Sequence, residues 1–128
     1  MKNTAEKETE LSTKDATTEW HRVGAARDFP KNSGACVKLG QKQIAVYRFD
    51  RDGKWFATDN LCPHKQEMVL SRGLLGEAGN RPFVACPLHK KRYSLEDGQC
   101  LDQEEFKIQT YAVKVEDGFV YIGFSEYI

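Results

Sequence analysis

A chain of 128 residues can bury the core of one domain, and its 19 basic and 19 acidic side chains balance. This balance gives no electrostatic reason to expect a nucleic acid or an anionic membrane as a partner. The first residues lack the apolar stretch of a signal peptide, and no apolar run approaches the length of about 20 residues that spans a bilayer. We therefore expect a cytoplasmic protein.

The four cysteines could form two disulfides, as in small secreted domains. Nothing in the sequence indicates secretion, and the apolar content is adequate for a core without cross-links. Reduced thiols are therefore the expectation, and some of these cysteines need another explanation.

In chain order, the first segment is residues 1–18, whose apolar side chains beyond the initial Met are Ala5, Leu11 and Ala16. Such a segment cannot bury enough surface to offset the entropy of ordering it. We predict a flexible tail over 1–18, with a weak helix as the alternative, followed by one domain over 19–128.

The domain begins with short runs of β-branched and aromatic residues separated by turn residues. The runs are "ACVKL" (35–39), "QIAVYRF" (43–49), "KWFAT" (54–58), "RPFVAC" (81–86), "RYSL" (92–95) and the two halves of "YAVKVEDGFVYIGF" (111–124). Asp52-Gly53 and Asp117-Gly118 are typical of hairpin turns. No apolar period of 3.6 persists over three turns, so the sequence predicts an all-β domain of roughly eight to ten short strands.

One long connection interrupts these runs, from Cys62 to Arg81, and we predict it to be without regular structure. A stretch of that length in a compact domain is usually functional. Its glycines, Gly73, Gly76 and Gly79, lack the strand–loop–helix setting of a phosphate-binding loop, which disfavours that function.

Two cysteine–histidine pairs stand out in this pattern. Cys62-Pro63-His64 is separated by 21 residues from Cys86-Pro87-Leu88-His89, and both pairs lie between predicted strands. A proline fixes its own φ and holds the preceding residue extended, so both cysteines are preorganised. One such pair is most often two unrelated buried residues, but two pairs with a proline directly after each cysteine indicate a shared site.

Three kinds of site fit this pattern. A Cys₂His₂ zinc site uses all four side chains around one ion. A Cys–His nucleophile uses one pair and leaves the other idle, which makes it the weakest of the three. A Rieske [2Fe–2S] cluster binds both cysteines on one iron and both histidines on the other, which accounts for one residue of each kind in each loop.

The sequence resembles the Rieske-type [2Fe–2S] domain family over almost all of residues 19–124. The resemblance rests on "LCPH" (61–64), "LSRG" (70–73), "CPLH" (86–89), the aromatic Tyr93 and the "DG" turn at 97–98. It implies an antiparallel β-sandwich with a cluster-binding subdomain made of two ligand loops. The ligands it implies are Cys62, His64, Cys86 and His89.

Within that family, the chain is most similar to the small subunit of assimilatory NAD(P)H-dependent nitrite reductase, through "LSRGLLGE" (70–77), "CPLHKKRYSLEDGQCL" (86–101) and "YAVKVEDGFVYI" (111–122). This implies a large partner subunit that carries FAD, sirohaem and a [4Fe–4S] cluster and reduces nitrite to ammonium. The small subunit would relay electrons or support its partner without a nitrite site of its own. The alternatives are a Rieske-type ferredoxin feeding an oxygenase, and a zinc-bound or metal-free interaction domain.

Three departures from the family pattern bear on this function. Glu67 and Leu88 stand where high-potential members have a disulfide-forming cysteine, and Lys90 stands where a glycine is common. Rieske clusters span about −150 to +300 mV, against about −400 mV for plant-type ferredoxins, because imidazole replaces two thiolates. Without the disulfide we expect the low end of that range.

The remaining candidate residues are cations, thiols and one histidine. Lys65, Lys90, Lys91 and Arg92 could steer a redox partner towards the histidine side of the site, or could be a solvated patch. Cys36 is expected to be buried in a strand, Cys100 has no predicted ligand role, and a disulfide between them is the less favoured alternative. His21 is expected at the surface.

Overall fold

The protein is described here by a computed structural model, which covers residues 18–64, 66–88 and 90–125. The expected tail therefore lies almost wholly outside the described residues. The strands in chain order are β1 (Thr18–Ala25), β2 (Ser33–Leu39), β3 (Lys42–Phe49), β4 (Lys54–Asp59), β5 (Leu61–Cys62), β6 (Glu67–Met68), β7 (Leu74–Ala78), β8 (Arg81–Ala85), β9 (Arg92–Ser94), β10 (Thr110–Glu116) and β11 (Phe119–Ser125). Two 3₁₀ turns, Ala26–Asp28 and Leu70–Arg72, join them.

The prediction of an all-β domain is confirmed. Six strands form an antiparallel sheet in the order β1-β11-β10-β4-β3-β2, which consists largely of neighbours along the chain. Its hairpins lie where the sequence predicted them: Asp117 and Gly118 both have positive φ, at 53° and 83°, between β10 and β11. Two such residues are what a two-residue turn requires to match the twist of its strands. No helix in the described part of the chain has the length and apolar character to span a bilayer.

Three further strands form a second sheet, in the order β9-β8-β7, and β5 and β6 pair as a small ribbon. The prediction that 62–81 has no regular structure is wrong at β7, which pairs with β8 from Leu74↔Ala85 to Ala78↔Arg81. The run "LLGEA" has no β-branched or aromatic residue, so its pattern does not indicate a strand. The segment is a strand because it pairs with β8, although its own residues have low strand propensity. The turn between the two strands contains Gly79, which has φ 66°.

Two apolar clusters lie on opposite faces of the six-stranded sheet, and β3 contributes to both. Ile44 and Val46 belong to one cluster, whereas Ala45, Tyr47 and Phe49 belong to the other. Alternate side chains of a strand point to opposite faces, so a strand buried on both is almost continuously apolar. The second cluster fills the space between the two sheets and contains Cys62 and Cys86, which places the candidate site against a packed core.

The structure corrects one expectation about the other polar candidates and refines two. Cys36 was predicted to be buried and is exposed: it lies on the edge strand β2, opposite the buried Ala45 of β3, at the margin of the sheet. Cys100 is buried in the cluster between the sheets, and all four cysteines are free thiols. The His21 side chain is 41% exposed and lies 3.8 Å from the Glu19 carboxylate.

Candidate functional site

Both predicted ligand loops arise at strand ends next to the cluster between the sheets. Cys62 ends β5, and Cys86 follows β8 directly. The two thiol-bearing residues are buried, with relative exposures of 0% and 1%. Tyr93 of β9 is also fully buried, and its phenol oxygen lies 3.6 Å from the Cys62 Sγ. The structure thus brings the two cysteines into one buried group.

The first loop is closed by a hydrogen bond around Cys62. The backbone N–H of Gln66 donates to the Cys62 carbonyl at 2.7 Å, and the Gln66 side chain donates to the Pro63 carbonyl at 3.1 Å. Gln66 has a left-handed backbone conformation with φ 57°. Pairing of Cys62 with Glu67 closes the loop at its base. The chain therefore turns sharply over the four residues that follow the cysteine.

The second loop repeats this construction around Cys86. The backbone N–H of Lys90 donates to the Cys86 carbonyl at 2.8 Å, and Lys90 is left-handed with φ 61°. The Cys86 N–H in turn donates to the Lys91 carbonyl at 2.8 Å. A left-handed residue is easiest for glycine, which gives a physical reason for the glycine common at this position in the resembled family. Lys90 meets the same requirement at a steric cost.

The Tyr93 phenol is protonated and available as a donor. Burial and the neighbouring Cys62 thiol raise the pKa of this phenol far above its usual value. A buried hydroxyl that keeps its proton can donate to a thiolate sulfur and stabilise its negative charge. Tyr47, in the same cluster, is equally buried but pairs with the Thr58 hydroxyl at 3.0 Å instead of a sulfur.

His64 presents one nitrogen to the inside of the protein. The residue is half-buried as a whole, but its Nδ1 atom is buried. Its ring meets the ring of Phe106 edge-to-face, with centroids 5.4 Å apart and planes at 80°. Phe106 was not singled out from the sequence, because no local pattern connects position 106 to position 64.

Asn60, at the base of the first loop, is a second residue that the sequence did not indicate. It is 2% exposed, and its side-chain oxygen accepts from the Ser71 N–H at 2.7 Å. Its amide nitrogen donates to the Gln43 Oε1 at 3.1 Å, and its carbonyl accepts from the Leu70 N–H at 3.0 Å. A buried amide whose groups are satisfied in this way ties β3, the loop and the 3₁₀ turn together.

The four predicted docking cations differ in their surroundings. Lys65, like the predicted ligand His89, lies outside the described residues. Lys90 is exposed and Lys91 is half-buried. Arg92 forms a two-pronged ion pair with Asp102, through contacts of 2.9 and 3.2 Å. Its charge is therefore largely compensated within the chain.

Comparison with known proteins identifies the family. The Rieske-like [2Fe-2S] domain matches residues 19–123. The chain belongs to this family. Within it, this Rieske-like domain is 36% identical over 103 residues to the nitrite reductase (NADH) small subunit of Escherichia coli K12, covering 80% of this chain and 95% of the relative. It is 41% identical over 104 residues to the nitrite reductase [NAD(P)H] large subunit of Klebsiella oxytoca, of which it spans 11%.

Solved structures agree with these relatives. The solution structure of NirD from E. coli superimposes on this Rieske-like domain with a TM-score of 0.76 and 34% identity, covering 84% of this chain and 97% of the other. A ferredoxin component of a naphthalene dioxygenase/salicylate hydroxylase system from Ralstonia is 33% identical over 102 residues, covering 79% of this chain and 91% of that component. The predicted antiparallel Rieske-like fold is confirmed by the superposition on NirD.

The donor chemistry of the Rieske-like domain fits a cluster. Two buried thiols next to a phenol donor suit the iron that cysteines bind in a Rieske cluster. A buried imidazole nitrogen suits the iron that histidines bind. Among the described residues, which exclude His89, no three histidine, cysteine or carboxylate side chains gather as ligands of a single ion.

Proposed function

We propose that this chain is the small subunit of an NAD(P)H-dependent nitrite reductase, in which it takes part in electron transfer. The observation that carries the proposal is the pair of ligand loops with the same closing turn, on a chain that aligns with 95% of the length of a nitrite reductase small subunit. The free thiols are typical of a reducing compartment, so we place the protein in the cytoplasm.

The four residues predicted as ligands take two roles in this proposal. Cys62 and Cys86 would bind one iron of a [2Fe–2S] cluster, and His64 and His89 the other. When bound, such a cluster supplies one-electron redox chemistry at a potential above that of plant-type ferredoxins. Burial of the two cysteines excludes water from the thiolates, and the Tyr93 hydroxyl would donate to the Cys62 sulfur.

The proposed partner is the large subunit of the same enzyme. Its support is that a domain 41% identical to this chain forms part of a polypeptide named as a large subunit. Two domains that occur in one chain in one organism are often partners when they occur as separate chains. FAD, sirohaem and a [4Fe–4S] cluster, together with the nitrite site, would then belong to the partner alone.

For docking, we propose that Lys90 and Lys91, with Lys65, carry the attraction to the partner. Arg92 contributes less, since Asp102 compensates its charge. Replacing Lys90 and Lys91 by Glu should slow association and reduce its salt dependence, measured by stopped-flow or surface plasmon resonance at several ionic strengths. Arg51→Glu, far along the chain in an exposed turn, is the control. Unchanged association and salt dependence in the double variant would contradict steering by these residues.

The ligand assignment is tested by metal content. Anaerobically purified protein should hold two irons and two acid-labile sulfides per chain, on the stoichiometry of a [2Fe–2S] cluster, with a Rieske-type EPR signal after reduction. Cys86→Ala should lose the cluster, His89→Cys should retain one of lower potential, and Cys36→Ala should retain it unchanged. Zinc in place of iron, or a cluster that survives Cys86→Ala, would overturn the assignment.

The activity is tested with the large subunit. The two chains should co-purify on co-expression, and NAD(P)H-dependent nitrite reduction should fall when the small subunit is left out or carries Cys86→Ala. The second candidate, a ferredoxin that feeds an oxygenase, has the Ralstonia relative in its favour. It would be supported instead if the chain failed to bind the large subunit and reduced the terminal oxygenase of such a system.

A further inference from the structure

Beyond the two ligand loops, the segment 99–109, called here the third loop, is tied to both β9 and the cluster between the sheets. Its Leu101 N–H donates to the Arg92 carbonyl at 2.7 Å. The Asp102 carboxylate accepts from the Arg92 N–H at 2.8 Å and pairs with the Arg92 guanidinium. Arg92 stands three residues after the predicted ligand His89 in sequence, so the third loop is anchored to the strand that leaves the second ligand loop.

The third loop is also closed on itself. The Gln99 side-chain amide donates to the Glu104 carbonyl at 2.8 Å and to the Phe106 carbonyl at 3.1 Å. Backbone bonds join Cys100 to Phe106 and Phe106 to Gln103, at 3.0 and 3.1 Å. Such internal bonds fix the backbone at Phe106 without help from the first ligand loop.

Phe106 extends from this fixed backbone to the first ligand loop. Its ring packs against the buried cluster that contains Cys62 and Cys86, and it meets the His64 ring edge-to-face at 5.4 Å. The ring of a histidine can rotate about its two side-chain torsions, and only some orientations keep Nδ1 inward. A flat aromatic neighbour limits that rotation, because edge-to-face rings have a preferred geometry.

We propose that Phe106 is a positioning residue of the cluster site, which holds the His64 imidazole with Nδ1 turned inward. The inference rests on the proposed role of His64 as an iron ligand. In this role Phe106 acts on the site through the orientation of His64. The third loop therefore contacts both ligand loops: it is bonded to Arg92, which follows the second loop, and its Phe106 packs against His64 of the first loop.

The first test compares Phe106→Leu with Phe49→Leu. Phe49 is the matched control, because it lies in the same cluster and forms an edge-to-face pair, with Phe56 at 5.7 Å. In metal-free protein, the His64 ring resonances in ¹H–¹³C NMR should move towards those of an unrestrained imidazole in Phe106→Leu and stay in place in Phe49→Leu. Phe106→Tyr, which keeps the ring, should retain the wild-type resonances.

The second test uses the loaded protein. In Phe106→Leu, iron should be lost to a chelator between about twofold and tenfold faster, the range that the strength of an edge-to-face pair implies. The ¹⁴N couplings of one imidazole in the pulsed EPR spectrum should also change, with Phe106→Tyr restoring both properties.

Three results would overturn the proposal: unchanged His64 resonances in Phe106→Leu, equal effects of the two leucine variants, or failure of the tyrosine variant to restore the wild-type behaviour. Circular dichroism and urea unfolding of each variant separate these results from misfolding. If the wild-type protein bound no cluster at all, the proposed function would fail, while the NMR comparison would still decide whether Phe106 orients His64.

Discussion

The two ligand loops share a turn but differ in what holds them. Each turns back through a bond from the fourth residue after its cysteine, Gln66 or Lys90, with that residue left-handed. The base of the second loop is an ordinary ladder, in which Arg92 pairs with Ala85. The base of the first loop is a ribbon of two residue pairs, supported by the buried Asn60 amide.

This difference indicates that the turn of each loop and the contacts that hold the base of the loop are independent features of the site. A loop that follows a well-paired strand needs little else to fix its cysteine. A loop that leaves a short ribbon depends on polar side chains buried at its base, whose loss is costly when partners remain unsatisfied. The first loop should therefore be the more sensitive to single substitutions away from the ligands.

The largest effect is expected from Asn60→Asp. The substitution removes the donor to Gln43 and buries a carboxylate beside that carbonyl oxygen, so the free energy of unfolding should fall by about 2–3 kcal/mol. Urea unfolding measures the loss, and hydrogen exchange should show the Gln66 and Leu70 amides opening faster while Lys90 is unchanged. Asn32→Asp is the control, because its Oδ1 acceptor for the Asp50 N–H is preserved. Equal loosening of both loops would contradict separate anchoring.

Tyr93→Phe should lower the potential of the cluster, because it removes the hydroxyl that contacts the Cys62 sulfur. Loss of a hydrogen bond worth about 1 kcal/mol to the more negative reduced state should lower the cluster potential by roughly 40 mV, given 59 mV per tenfold change for one electron. Protein-film voltammetry measures the shift. Tyr47→Phe removes an equally buried hydroxyl that pairs with Thr58, so it should leave the potential in place. Matching shifts in the two variants would exclude the Cys62 contact as the cause.

Gln66→Gly and Lys90→Gly test what the loops have in common. A residue with a side chain in the left-handed conformation is destabilised by about 1 kcal/mol, and glycine removes this cost. Part of the benefit is lost because glycine also gives the unfolded chain more conformational entropy. Each variant should therefore be unchanged or more stable by about 0.5 kcal/mol in urea unfolding. Lys91→Gly, at a residue without positive φ, should be destabilised by about 0.5–1 kcal/mol. Opposite signs for Gln66→Gly and Lys90→Gly would show that the turns are not equivalent.

Asp102→Asn should have the smallest effect, on the anchor of the third loop. Arg92 lowers the pKa of the Asp102 carboxyl below its usual range, through hydrogen bonds that include the Arg92 N–H. A depressed pKa stabilises the fold above the unfolded value of about 3.9, and this contribution is lost as pH falls through the folded pKa. The variant should thus be less stable than wild type at pH 7, with a gap that closes below about pH 4. Glu105→Gln is the control, and a gap independent of pH would exclude this ion pair as its source.

Many of the strands and turns could be predicted, because the sequence patterns that indicate them lie within a few residues. The β-branched and aromatic content of "QIAVYRF" and the Asp117-Gly118 turn are properties of adjacent residues, and both predictions were correct. The strand β7 was missed because pairing with β8 creates it, and the burial predicted for Cys36 was wrong because a local run does not show that its strand lies at the edge of the sheet.

The β architecture, the two Cys–Pro loops and the residue types available to a cluster follow from the chain alone. These depend on φ restrictions and side-chain patterns within a few residues. Three contacts of the site could be found only in the folded protein: Asn60 holds the first loop, Tyr93 reaches the Cys62 sulfur and Phe106 meets His64. Those contacts join residues up to 42 positions apart, and burial of shared surface, which no local pattern records, selects them.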